Sequence, residues 1–150
     1  MRRRALKVVV AGVIVALTIP AAAHAGQKLI TEEEAKLPPP KGAVAADRRG
    51  ILRGPKIEFV SPGEAVRSPI HLRLKFESYG DAKIDTHSVR MTYLRTPNVD
   101  LTPRVEQYVR SAGIDMPDAE VPPGEYMVRV DLKDSDGRPA SACFVLKIVP

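Results

Sequence analysis

The stretch PPGEYMVRVDLKDSDGRPASACFVLKI, residues 122–148, decides the fold. Tyr126, Val128, Val130 and Leu132 alternate with Met127, Arg129 and Asp131. A period of two places one set of side chains on each face of a strand. Asp134-Ser135-Asp136-Gly137 interrupts the alternation, and Asp-Gly tolerates the positive φ that hairpin turns demand. Ala142, Phe144, Leu146 and Ile148 then return along a closing strand, whose other face carries Cys143, Val145, Lys147 and Val149. That second face is partly apolar, so the closing strand is expected to be covered on both sides or to lie centrally.

The same period extends toward the N-terminus. Ile57 and Phe59 flank Glu58, and Ser61-Pro62-Gly63 closes this first strand. Ile70, Leu72, Leu74 and Phe76 alternate with His71, Arg73, Lys75 and Glu77. Tyr79 to Lys83 is a turn, after which Val89, Met91 and Tyr93 alternate with Arg90 and Thr92 until Pro97-Asn98 breaks the strand. Further strands are expected at Asp118 to Val121 and near Asn98 to Leu101. A helix is expected from Thr102 as cap and Pro103 as first helical residue to Gly113 as its end. Val105, Tyr108, Val109 and Ala112 fall at i, i+3, i+4 and i+7, a stripe suited to covering an open end or edge of a sheet.

Turn signals recur roughly every ten residues, as a sandwich requires. Pro123-Gly124-Glu125-Tyr126, the Asp134 to Gly137 turn and a closing strand with Phe144 resemble the last hairpin of bacterial immunoglobulin-like domains. Ile57 to Pro62 and Ser68-Pro69-Ile70 resemble the first two strands of that superfamily. The resemblance covers about residues 55–149 and implies a mainly β fold, an immunoglobulin-like antiparallel β-sandwich with one short helix inserted. The disulfide and core Trp of antibody domains are missing. The superfamily implies roles in adhesion, spacing or carbohydrate contact and hands over no site residues.

Residues 1–25 are expected to be a secretory signal peptide. Arg2, Arg3, Arg4 and Lys7 precede an apolar run from Val8 to Ile19, and Ala21-Ala22-Ala23-His24-Ala25 supplies small residues before Gly26. The run is too short to span a bilayer permanently. The protein is therefore expected in the periplasm or outside the cell, with no stable membrane span after cleavage. Arg2 to Lys7 resembles a twin-arginine signal, but Ala5 stands where Phe is usual, so the general secretory route is preferred. Four of the 23 basic residues lie in this segment, leaving 19 against 18 acids. That balance, with no basic cluster interleaved with aromatics, removes nucleic acid as an expected partner. Residues 26–54 read as an arm. Thr31 caps a possible short helix with Glu34 three residues on, Pro38-Pro39-Pro40 stops it, and a small, polar, aperiodic spacer follows. The domain proper is placed at 55–150.

No residue pattern requires catalysis. His71, Asp85 and Ser88 lack a nucleophile elbow, and His87 and Ser88 point to opposite faces of a strand. His71 and His87 are the candidate ligands for copper or zinc, on strands that pairing would bring together, with Met91 near. Asp134-x-Asp136-Gly137 suggests calcium, but Val145 stands where a closing Glu belongs. No Trp is present, which leaves Tyr79 and Tyr93 as the free aromatics for a carbohydrate. Cys143 is the one cysteine, so no internal disulfide forms. The sequence favours a non-enzymatic envelope protein without cofactor, acting through protein interaction at strand edges, over a small periplasmic metal-binding protein.

Overall fold

The computed structural model describes residues 26–42 and 54–150. The expected signal peptide and the spacer at 43–53 lie outside the described residues. The chain is mainly β, folded as two sheets. In chain order the elements are β1 (Gln27–Lys28), α1 (Glu32–Ala35), β2 (Lys56–Ser61), β3 (Ile70–Glu77), β4 (Ile84–Tyr93) and β5 (Val99–Asp100). Then come α2 (Thr102–Val105), a 3-10 turn (Glu106–Tyr108), β6 (Val109–Arg110), β7 (Gly113–Glu120), β8 (Gly124–Asp134) and β9 (Pro139–Ile148). The first sheet runs β1-β7-β3-β2, with β6 also on β7, and the second runs β5-β4-β8-β9. The strands pair antiparallel except β1 with β7, and Val66 adds an isolated parallel bridge to Ile148 of β9.

The alternating side chains predict the core. Ile70, Leu72, Leu74 and Phe76 from the first sheet meet Val89, Met91, Tyr93, Tyr126, Val128, Val130, Leu132, Leu146 and Ile148 from the second. Burying such apolar surface between two faces is the main driving force for the fold. Two further pairings close the structure. Phe59 stacks on Phe144 with ring centroids 4.6 Å apart, tying β2 to β9. Val66, in the β2–β3 loop, donates to Lys147 O (3.1 Å) and accepts from Val149 N (2.8 Å).

Three expectations change. The helix expected over 102–113 is a single turn, α2, then the 3-10 turn, then strand β6. Leu101 rather than Thr102 takes the N-cap position, and Thr102 instead bonds β4 through Met91 N (3.0 Å). Strand β7 begins at Gly113, well before the expected Asp118, and its Ile114 and Met116 are fully in the core. Strand β9 lies at the end of its sheet rather than centrally, and its outer face is open, with Val145 51% exposed.

Residues 26–42, expected within a flexible arm, are built into the domain. β1 pairs with the end of β7, and Leu29 and Ile30 are buried in the core. Helix α1 then starts with a full capping box between Thr31 and Glu34.

Candidate functional site

The two candidate metal ligands are on different sheets. His71 projects from the exposed face of β3, where its Nε2 meets Asp115 of β7, with Arg73 Nε 3.8 Å from the same carboxylate. The His71 contact, against the opposing effect of burial and with help from the Arg73 charge, holds the Asp115 carboxyl below its usual range. His87 sits on β4, where the register with β8 shifts between Asp85 and Arg90. Its backbone N–H donates to Asp85 Oδ1 (3.0 Å), a local turn bond. Strand pairing therefore does not bring the two histidines together. No group of three or more His, Cys, Asp or Glu placed to hold a metal occurs among the described residues.

The remaining sequence candidates have structural partners. Asp134 is buried at the β8–β9 turn and accepts from the N–H groups of Asp136 (3.0 Å) and Arg138 (2.9 Å) and from Arg138 Nε (2.9 Å). Burial would raise its pKa, but these donors and the guanidinium charge together hold it below the ordinary range. The carboxylate thus ties the hairpin together. Tyr93 is not free for a carbohydrate: it is fully buried, 5.5 Å from the Tyr126 ring. Tyr79 is exposed, with the Arg138 guanidinium carbon 5.3 Å from its centroid. Ser88 Oγ donates to Asp85 O (2.7 Å) and accepts from Lys133 N (2.8 Å), which ties it into the β4–β8 irregularity.

A different set of residues comes forward. Strands β2 and β9 are the outermost strands of their sheets and lie on the same side of the molecule, joined by the Phe59–Phe144 stack. The sequence neighbours of that stack are both exposed valines. Val60 is 50% exposed and sits in the register shift between Phe59 and Ser61, and Val145 projects from β9 beside Met127 of β8. Exposed large apolar side chains are few among the described residues, and Val60 and Val145 each project outward, opposite the inward Phe59 and Phe144, one from the outer face of each sheet. The sequence does not announce Val145 as exposed, because a partly apolar second face suits a strand covered on both sides or lying centrally. The signal available was the run Pro139 to Leu146, which holds no charge although edge strands usually carry one.

Among the described residues no helix is long and apolar enough to cross a membrane. Comparison with protein families, with characterised proteins and with solved structures finds no match to this chain.

Proposed function

We propose that this protein is an exported, non-enzymatic envelope module with an immunoglobulin-like fold that engages a protein partner along the β2/β9 side of its sandwich. The observation that carries this reading is that the two outermost strands, joined by the Phe59–Phe144 stack, each carry an exposed valine on the outer face, Val60 on β2 and Val145 on β9. An outermost strand has backbone donors and acceptors on its open side, apart here from Lys147 O and Val149 N, which Val66 already engages, and flanking apolar side chains add contact area for an incoming strand.

The strand order supports the immunoglobulin-like part of the proposal. β2-β3-β7 matches the A-B-E order of such sandwiches, and β4-β8-β9 matches C-F-G. Tyr126, near the start of β8, donates its hydroxyl to Pro122 O at 2.7 Å, as the corner tyrosine does on strand F of those domains. The non-enzymatic part is supported by how the charged groups are used. Glu34 and Asp134 are engaged by Arg104 and Arg138 in pairs that tie separate segments together, and Asp131 pairs with Arg129 on the same strand. Export rests on the signal-like residues 1–25.

The test is cross-linking of the mature protein in its native envelope, beside a V60K/V145K variant. Both positions are exposed, so the variant is expected to melt with the wild type. A cross-linked partner present for the wild type and lost in the variant supports the reading. A wild type that stays monomeric and uncross-linked, or a variant that keeps the same partner, overturns it.

A further inference from the structure

On the outer face of the second sheet lies a notch of about 280 Å³, whose described lining residues include three cations and no acid. The polyproline segment makes it. Each proline brings a carbonyl acceptor but no N–H donor, and here Thr96 supplies the donors: Thr96 N donates to Pro38 O (3.1 Å) and Thr96 Oγ1 to Pro39 O (3.0 Å). This docking sets Lys41 beside the β4–β5 loop, opposite Arg95 and Arg129.

The cations differ in how they are held. Arg129 is paired with Asp131 at 2.9 Å. Arg95 is fixed from below: its Nε donates to the buried Tyr93 hydroxyl at 2.6 Å, and its guanidinium lies 5.4 Å from that ring. Neither Arg95 nor Lys41 has a carboxylate partner among the described residues. With the Arg129 charge offset by Asp131, Lys41 and Arg95 are the like charges that repel across the concavity, and that repulsion is relieved when an anion enters. Leu94 and Pro97 give the notch an apolar wall. At about 30 Å³ per water the space equals roughly nine waters, more than a bare oxyanion needs.

We propose that this notch binds a small organic anion. Its phosphate or carboxylate head is held by Lys41, Arg95 and Arg129, and its body rests on Leu94 and Pro97. The site is separate from the β2/β9 side and does not depend on the partner proposed there.

Cys143 lines the notch, is exposed, and is the only cysteine, so its reactivity reports occupancy. The experiment follows the rate of Cys143 alkylation by a neutral maleimide at constant ionic strength. The probes are phenyl phosphate, benzoate, inorganic phosphate and the neutral benzyl alcohol. Saturable slowing is expected with phenyl phosphate and benzoate, weaker slowing with inorganic phosphate, and none with benzyl alcohol. Arg95→Gln and Lys41→Gln should each raise the half-protecting concentration about 10-fold, the worth of one charge-assisted contact. Lys41 is exposed and bonded to nothing in the core, so K41Q separates a binding defect from a folding one even where R95Q loosens Tyr93. The proposal is overturned if no anion protects Cys143, if benzyl alcohol protects as well as benzoate, or if K41Q is protected like the wild type. Protection by inorganic phosphate equal to that by phenyl phosphate overturns the apolar wall's part in it.

Discussion

Two glycines separate the two reasons for having no side chain. At Gly137, φ is +78° and a Cβ would meet nothing within 4 Å, so only the backbone conformation is at stake. Gly137→Ala should then cost about 1–2 kcal/mol, the penalty of the left-handed region. At Gly113, φ is +150° and a Cβ would fall 1.8 Å from the Leu74 carbonyl oxygen in the facing strand β3. No rotamer relieves a clash with backbone, so Gly113→Ala should cost about 3 kcal/mol or more and loosen the β3–β7 pairing. Urea melts of the two variants check this, and equal midpoints would show that the β3–β7 approach is not tight. Tyr126→Phe belongs to the same scale. It removes the bond to Pro122 O and leaves the ring in the core, so a loss of about 1 kcal/mol is expected in the same melts. The Gly137 role was legible in the sequence, because Asp-Gly announces its turn. The Gly113 role was not, because its cause is an oxygen 39 positions earlier in the chain.

Elements were legible where one face repeats for long enough. The four alternating apolar residues of β3 and of β8 point inward as expected. The segment 102–112 misled because Val105, Tyr108, Val109 and Ala112 satisfy a helical spacing although Val109 pairs in a strand with Ile114. An eleven-residue stripe is weak nucleation for a helix, and a strand edge at β7 offers the backbone a better partner. The short helix α1 shows the opposite case. Its capping box was readable, but its hold on the rest of the molecule was not. Glu34 accepts from both Arg104 terminal nitrogens at 2.7 Å, and Arg104 Nη1 also donates to Leu29 O at 2.8 Å. The Arg104 contact, against the opposing effect of burial, brings the Glu34 pKa from 4.5 down to about 2. A folded pKa below the unfolded one means stabilisation that is complete above about pH 4.5 and fades as pH falls toward 2. Glu34→Gln should therefore destabilise by roughly 2 kcal/mol at pH 7 and by much less near pH 2. Chemical melts at the two pH values check the sign, and a gap that stayed constant would remove the ion pair as its cause.

At the scale of the whole molecule, the surprise is where the domain begins. Sequence composition put the boundary near residue 55, because Gln27 to Ile30 is too short for either period to register and polar, proline-rich chain follows. Two apolar side chains cannot announce a core position by pattern alone. Yet Leu29 and Ile30 are among the most buried residues, and the Leu29 and Ile30 N–H groups both reach Glu120 O, at 2.9 and 3.5 Å. They extend the first sheet past the end of β7 and lie against α2, whose Arg104 donates to Leu29 O at 2.8 Å. Gln27 Oε1 also accepts from Gln107 Nε2 (2.5 Å) and the Tyr108 hydroxyl (3.3 Å), which fastens β1 to that turn. Leu29→Ala should cost about 2–4 kcal/mol, as a cavity in a well-packed core does. A chain beginning at residue 54 should lose more than this, because it also opens the β7 edge and leaves Arg104 without Glu34. Its denaturation midpoint, compared with that of a chain beginning at residue 26, measures the contribution directly. Equal midpoints would mean that residues 26–42 lie on a domain that is already complete. A large drop would mean that the anchored polyproline segment, and with it Lys41, is held at the notch by the same cooperative unit that forms the core.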